Sequence, residues 1–194
     1  ADHSSSGRTV TATGGAAVST AQTKVGTHSI LFDGSNDYLA IPASTDFDFV
    51  GDFTFECWVY FDGTPGELMN IDNGAGGGPN DFRVFISGTG LKITCQDLST
   101  DHYLNSTHNV PTNTWTHLAA VRSGSTITGY KNGVAMNSPK TGVSGSVAGT
   151  VAMRVGHGDN YYGGYMDEIR LSNSARYTSG FTDFGQGGGT IASP

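Results

Sequence analysis

The sequence predicts an all-β protein built as a sandwich of two antiparallel sheets. Short segments of alternating apolar and polar residues recur along the chain, and Gly, Asn, Asp, Pro or Ser residues separate them. Glycine is frequent, at 29 of 194 residues, and charged residues are few, at 14%. This composition is typical of many short strands joined by tight turns, and no apolar pattern of helical period continues beyond one turn.

The strands are predicted from this alternation and from the turn residues that bound each segment. In chain order they are Arg8–Ala12, His28–Asp33, Tyr38–Ile41, Asp52–Phe61, Glu67–Ile71, Phe82–Ser87, Leu91–Gln96, His102–Asn105, Thr114–Arg122, Thr126–Lys131, Val134–Asn137, Val151–Val155 and Tyr165–Ser172. In Asp52–Phe61 every second residue from Phe53 onward is apolar, so one face is predicted to be core. The segment around Trp115 is apolar on both faces, as expected near the centre of a sandwich.

Turn chemistry indicates antiparallel pairing. Asn132-Gly133 stands between two predicted strands and is a strong hairpin signal, because both residues tolerate positive φ. Ser87-Gly88-Thr89-Gly90 predicts a second short hairpin. Cys57 and Cys95 lie in apolar segments and are either buried thiols or, if their strands are neighbours, a disulfide.

The charge of the chain argues against two classes of partner. The net charge is −7 with only ten Lys and Arg residues, and these form no cluster. Binding to nucleic acid or to an anionic membrane surface needs concentrated positive charge, so neither partner is expected. No apolar run approaches the roughly 20 residues of a membrane span.

Six short motifs follow one another along residues 2–182. They are FDGSNDYL at 32–39, DFTFECWV at 52–59, WTHLA at 115–119, YKNG at 130–133, GYMDEIR at 164–170 and ARYT at 175–178. In this order they resemble laminin-G-like domains of the concanavalin A-like lectin/glucanase superfamily. The version that ends in ARYT is similar to forms found in phage tail and virion proteins.

The resemblance implies a jelly roll of two curved antiparallel sheets over residues 1–184, followed by a Gly-rich tail at 185–194. Members of the superfamily bind glycans or proteins, decorate virions or accompany catalytic domains. Relatives often hold a structural Ca²⁺ between an N-terminal Asp-x-Ser segment and an aspartate of the last strand, and the matching positions here are Asp2 and Asp167. The alternative for Asp167 is that its carboxylate accepts backbone hydrogen bonds.

An enzymatic role is the less favoured alternative. Glucanases of this superfamily resemble one another in a strand that carries alternating carboxylates, which places an acid and a nucleophile on one face. This chain has only Glu56, Glu67 and Glu168, each in a different predicted strand, and it has no Gly-x-Ser-x-Gly elbow. A glycan hydrolase or lyase is therefore kept only as a second alternative.

The best ligand-binding candidate is the loop from His157 to Gly164. It combines aromatic rings, which can stack on the C–H faces of sugars, with polar side chains that can bond hydroxyl groups. The candidate residues are His157, Asp159, Asn160, Tyr161 and Tyr162, with Tyr103 in a second loop that could face them. The alternative is a Gly-rich turn whose tyrosines cover a sheet edge.

These observations predict a non-catalytic recognition module that binds a glycan or cell-surface polysaccharide. An extracellular or virion-surface location and a homo-oligomer, which would supply avidity, fit this role. The main alternative is a structural decoration or assembly module that contacts other protein subunits.

Overall fold

The strands of the protein lie close to where the alternation of apolar residues predicts them. The computed structural model describes residues 4, 6–71, 81–96, 101–136, 139–147 and 151–182, except for the side chains of residues 96, 101–103 and 105–107. The strands are β1 Thr11–Thr13, β2 Ala17–Ser19, β3 Ser29–Asp33, β4 Tyr38–Ile41, β5 Phe53–Phe61, β6 Glu67–Ile71, β7 Phe82–Ser87, β8 Gly90–Gln96, β9 Asp101–Asn109, β10 Trp115–Ser123, β11 Thr126–Lys131, β12 Val134–Ala135, β13 Lys140–Thr141, β14 Met153–Val155 and β15 Gly163–Ser172.

Two strands were not predicted, because β2 and β13 are too short to show alternation. In the described part of the chain the single helical element is a 3-10 turn at Thr45–Phe47. No helix there is long and apolar enough to cross a membrane. The predicted tail at 185–194 lies outside the described residues.

The strands form two antiparallel sheets, which confirms the predicted sandwich. The seven-stranded sheet has the order β1-β4-β14-β6-β7-β8-β9. The eight-stranded sheet has the order β12-β11-β10-β5-β15-β3-β2, with β13 also paired to β11. The β11–β12 hairpin turns at Asn132 and Gly133, whose φ angles are 47° and 73°, as the Asn-Gly pair predicts.

The core lies between the two sheets. The inward residues of β5, from Phe53 to Phe61, are fully or almost fully buried, and Phe53 contacts Phe82 of the opposite sheet at 4.5 Å between ring centroids. Cys57 and Cys95 are both buried free thiols, one in each sheet, so they are not bridged. Burial raises the pKa of the Cys57 thiol, which leaves it protonated and unreactive.

The outer face of β5 carries a buried carboxylate, Glu56. Its Oε1 lies 3.1 Å from Nε of Arg170 and 2.8 Å from Nε of Arg176. Its Oε2 accepts a 2.7 Å hydrogen bond from the Tyr177 hydroxyl and lies 3.3 Å from Nε2 of His117. Only 2% of the Glu56 side chain is exposed, so these partners replace the water that the carboxylate loses on folding.

Two of the four partners of Glu56 come from the C-terminal segment (residues 173–182), which crosses the outer face of the eight-stranded sheet. The Thr54 hydroxyl donates to the carbonyl oxygen of Ser174 at 2.8 Å and accepts from the backbone N–H of Arg176 at 3.0 Å. The rings of Tyr177 and Phe181 stack 3.5 Å apart and pack against Tyr130. The segment therefore seals a sheet face that would otherwise expose apolar residues.

The Glu56 network has a defined pH dependence. Burial alone would raise the pKa of Glu56, but the hydrogen bonds from His117 and Tyr177 and the charge of Arg170 outweigh it and hold the pKa below 4.5. A carboxyl group whose pKa is lower in the folded state stabilises the protein above its unfolded pKa. That stabilisation is lost as the pH falls through the folded pKa.

We expect Glu56→Gln to lower the free energy of unfolding by about 2–4 kcal/mol at neutral pH, because it leaves Arg170 and Arg176 without their buried counter-ion. Below about pH 4.5 the free energy of unfolding of the parent should fall towards that of the variant, which lacks this carboxylate. Urea unfolding across the acidic range measures both effects, with the exposed Glu168→Gln as the matched control. Equal stability of the Glu56 variant and the parent at pH 7 would contradict this role.

Candidate functional site

The predicted ligand loop begins after β14 and leads into β15, so it connects the two sheets. It lies across the outer face of β6, where Glu67 fixes it. The two carboxylate oxygens of Glu67 accept hydrogen bonds from the backbone N–H groups of Asp159, at 3.1 Å, and Asn160, at 2.9 Å. Gly158 approaches Asn70 and Glu67 so closely that a Cβ atom there would overlap both side chains.

Glu67 is 2% exposed, and its pKa is raised because burial outweighs the two backbone hydrogen bonds. Both of its oxygens are occupied by the loop. Glu67 is therefore a positioning group for the loop backbone and is not presented to a ligand.

Charged and polar side chains of the loop face solvent beside β7. The Asp159 carboxylate lies 2.6 Å from Nη1 of Arg83, and 58% of the Asp159 side chain is exposed. The Arg83 guanidinium also lies 5.7 Å from the centre of the Phe85 ring. Asn160 is exposed and, with Gly66 and Phe85, lines a small surface pocket of about 140 Å³.

Aromatic rings stand next to these polar groups. His157 and Tyr161 stack with their ring centroids 4.1 Å apart and an interplanar angle of 13°. The centroid of the Tyr38 ring lies 5.1 Å from that of His157. All three rings are partly exposed. Burial and the charge of Arg154 lower the pKa of His157, so its imidazole is neutral at pH 7. We call the surface formed by residues 157–161 with Arg83 and Phe85 the loop face.

The prediction that Tyr162 is exposed for stacking is wrong. Its side chain is fully buried between the sheets, where it packs against Phe61 at 6.2 Å and Phe32 at 6.1 Å between centroids. Its hydroxyl donates to the carbonyl oxygen of Tyr165 at 3.3 Å. Adjacent residues of an extended chain point in opposite directions, so Tyr161 can face outward only if Tyr162 faces inward.

Tyr103 belongs to β9 and not to a loop. It pairs with Thr94 of β8, which pairs with Arg83 of β7, so Tyr103 occupies the same cross-strand row as Arg83. Its side chain is outside the described residues. Tyr103 thus lies in the same sheet as Arg83, in a strand and not in the predicted second loop, and its contact with a ligand stays a prediction.

Asp167, the predicted calcium ligand, is surrounded by hydrogen-bond donors. Oδ2 accepts from the backbone N–H groups of Lys24 and Val25, each at 2.9 Å, and Oδ1 accepts from the N–H of Glu168 at 2.9 Å. Calcium requires oxygen ligands, and N–H donors are not ligands for it. Within the described residues no three His, Cys, Asp or Glu side chains come together to hold a metal ion.

The described surroundings of Asp167 therefore do not fit a calcium ion by themselves. Asp2, the other predicted ligand, lies outside the described residues, so calcium held by Asp2 and Asp167 together stays a prediction. The described contacts agree with the alternative, in which Asp167 accepts backbone hydrogen bonds.

Several residues in and next to the loop face were not singled out from the sequence. Tyr38, Arg83, Phe85 and Arg154 come from three different strands, and only the sheet order brings them together. A weak signal was present in β7, where Arg83 and Phe85 alternate with the buried Phe82, Val84 and Ile86. Alternation could assign these two side chains to the outer face but not to the neighbourhood of the loop.

The three glutamates are separated in space. Glu56 lies on the outer face of the eight-stranded sheet, Glu67 lies under the loop on the seven-stranded sheet, and Glu168 is exposed with a φ of 49°. Glu56 and Glu67 are each saturated by protein partners. Neither is placed to act with a second glutamate on one substrate.

Comparison with known proteins supports the fold. The family model described as "Concanavalin A-like lectin/glucanases superfamily" matches residues 33–179. No curated protein has a matching sequence. Among solved structures, mouse laminin α1 domains LG4-5 superpose with a TM-score of 0.61 at 14% identity, over 78% of this chain and 44% of that one.

Two other solved structures belong to proteins that interact with carbohydrates. Domain 4 of an extracellular GH43 arabinanase from Geobacillus stearothermophilus, in complex with arabinotriose, has a TM-score of 0.58 at 18% identity over 88% of this chain and 86% of that one. The structure of botulinum neurotoxin type C, whose cell entry depends on interaction with two ganglioside molecules, has a TM-score of 0.64 at 10% identity. It is covered over 44% of its length, and this chain over 88%. The protein thus spans less than half of the laminin and neurotoxin chains.

Asp167 can either accept backbone hydrogen bonds or bind calcium, and the two roles predict different effects of EDTA on the stability of the protein. We expect Asp167→Ala to lower the free energy of unfolding by about 2–3 kcal/mol, because three N–H groups lose their acceptor. The loss should be the same in EDTA and in excess calcium. A bound ion would instead stabilise the folded parent by mass action. Thermal unfolding of the parent and the variant in both buffers distinguishes these two roles. A melting temperature that EDTA lowers in the parent but not in the variant would establish calcium at Asp167.

Proposed function

Because the chain belongs to the concanavalin A-like lectin/glucanases superfamily, we propose that it is a non-catalytic module that binds carbohydrate through the loop face. The observation that carries this proposal is the stacked His157–Tyr161 pair beside Asp159 and Asn160. It places an aromatic surface next to groups that form hydrogen bonds, on a loop that the sheet holds in position.

This arrangement suits a sugar ring. The C–H face of a pyranose or furanose packs on the Tyr161 ring, while hydroxyl groups bond to the carboxylate of Asp159 and the side-chain amide of Asn160. Small-ligand sites generally combine apolar contact with a few fixed polar groups in this way. Glu67 reduces the conformational entropy that the loop loses on binding, because its two hydrogen bonds fix the loop backbone before a ligand arrives.

The structural neighbours support carbohydrate as the ligand class. The arabinanase domain is bound to arabinotriose, and it is a separate domain of nearly the same length as the aligned chain. The neurotoxin's entry depends on gangliosides. At identities of 10–18% these likenesses concern the fold, so the residues that would bind the sugar are argued from this chain alone.

The biological setting we propose is extracellular adhesion. The motif order that ends in ARYT is similar to versions in phage tail and virion proteins, which makes a virion surface one such setting. A single shallow site binds a glycan weakly, so several copies in a homo-oligomer would supply avidity. The module is proposed to be non-catalytic because Glu56 and Glu67 are both buried and held by the protein itself.

A second candidate function is assembly with other protein subunits, and one observation favours it. Trp115, Tyr60 and Tyr165 are partly exposed neighbours across three strands of the eight-stranded sheet, with centroids 5.6 and 5.9 Å apart. Aromatic residues are enriched at protein interfaces. This row lies on the sheet opposite the loop face, so variants on the two sheets distinguish the two functions.

We expect Tyr161→Ala to weaken glycan binding about tenfold or more, because it removes the aromatic surface on which the sugar would stack. The measurement is binding of labelled protein to a glycan array, followed by calorimetric titration with an oligosaccharide that the array identifies. Tyr161 is partly exposed, so the variant should unfold at nearly the same temperature as the parent.

The matched control is Tyr60→Ala, which removes a partly exposed ring from the opposite sheet. If Tyr60→Ala abolished binding and Tyr161→Ala left it unchanged, the binding site would lie on the eight-stranded sheet. Absence of binding to every glycan on the array, together with self-association that Tyr60→Ala abolishes, would favour the assembly function.

A further inference from the structure

Most cationic side chains of the protein have a partner within the described residues. Of ten Lys and Arg residues, seven have a partner in the described part of the chain. Arg8 pairs with Asp46, Lys24 lies over the Trp58 ring, Arg83 pairs with Asp159, Arg122 donates to backbone carbonyls, Lys131 donates to the carbonyl of Asn109, and Arg170 and Arg176 pair with Glu56.

The other three cations are Lys92, Lys140 and Arg154. No hydrogen bond or ion pair joins them to any residue that the structure describes. Lys140 lies in β13, which belongs to the eight-stranded sheet. Lys92 and Arg154 both belong to the seven-stranded sheet, and each alternates with residues whose side chains pack into the core, so both point outward.

These two outward cations flank the loop face. Arg154 pairs in register with Asn70, which Gly158 of the loop contacts. Lys92 pairs with Phe85, whose ring lines the surface pocket together with Asn160. Three strand spacings separate β14 from β8, and Lys92 lies two residues along β8 from Thr94, which is in the row of Arg154. The backbones of Arg154 and Lys92 are therefore about 16 Å apart, with the loop between them.

The described carboxylates near the loop are fewer than the cations there. Asp159 is paired with Arg83, and Glu67 accepts two backbone hydrogen bonds. Even with both carboxylates ionised, the three cations Arg83, Arg154 and Lys92 exceed them by one. The field of Arg154 is felt at the loop, since its charge helps to lower the pKa of His157. In a protein of net charge −7, this excess of one positive charge among the described residues makes the surroundings of the loop locally positive.

We propose that the saccharide bound at the loop face is anionic, with Arg154 and Lys92 each pairing with a carboxylate or sulfate group of the glycan. This inference rests on the proposed function and specifies the class of its ligand. The Tyr161 ring would stack on one sugar, while the flanking cations would select chains that carry acidic groups on both sides of it. Such selection is electrostatic, so it weakens as salt is added.

The test compares saccharides that differ only in charge. The probes are trigalacturonate against its methyl ester, and 3′-sialyllactose and lactose 3′-sulfate against lactose, printed with the neutral and acidic glycans of the general array. The variants are Arg154→Gln and Lys92→Gln, with Lys140→Gln as the control that removes one equally unpaired charge away from the loop face. All these side chains are partly exposed, and thermal unfolding confirms that each variant is folded.

We expect the protein to prefer the acidic member of at least one pair. The Arg154→Gln and Lys92→Gln variants should each lose about three- to tenfold in affinity for it. Lys140→Gln should bind as the parent does. The carboxylated and sulfated probes show which anion is preferred.

Three results would overturn the inference. Binding that is confined to neutral glycans and unchanged in both variants would leave the proposed function standing and refute an anionic ligand. An equal loss in Lys140→Gln would show general attraction instead of a site. Absence of binding to every glycan would overturn the proposed function itself.

Discussion

The buried carboxylate of Glu56 is the constraint on which the arrangement of the eight-stranded sheet depends. A charged group with 2% exposure is tolerated only if protein donors replace its water, and here two guanidinium groups, a histidine and a tyrosine do so. Three of these partners come from β15 and the C-terminal segment. The chain can therefore provide donors for the Glu56 carboxylate only when that segment is folded across the sheet. The segment in turn covers the outer face of the eight-stranded sheet.

Glu67 has the corresponding role on the other sheet. It is also buried and also faces away from the core, and it holds the 157–161 loop through two backbone N–H groups. Each sheet thus uses one buried glutamate to attach one irregular segment to its outer face. The difference lies in what each segment exposes. The C-terminal segment turns Tyr177 and Phe181 onto the sheet, whereas the loop turns Tyr161, Asp159 and Asn160 towards solvent.

The sequence could predict features that are set locally. Alternation placed β5 and its buried face correctly, and Asn132-Gly133 marked a hairpin, because side-chain direction and turn conformation depend on neighbouring residues. The buried state of Tyr162 could not be predicted, since it depends on the space between Phe32 and Phe61, which are far away in the sequence. The same limit explains why Arg154 was missed. Its proximity to the loop follows from the order β14-β6-β7-β8, which no local pattern encodes.

The central claim is that the loop face, and not the aromatic row of the opposite sheet, is the surface that meets a ligand. The most direct measurement is a titration of the ¹⁵N-labelled protein with an oligosaccharide that it binds on an array, followed by amide chemical shifts. The account predicts that the perturbed amides cluster at residues 157–161, at Arg83 and Phe85, and at Lys92 and Arg154. Perturbations centred on Tyr60, Trp115 and Tyr165, with the loop unchanged, would contradict it.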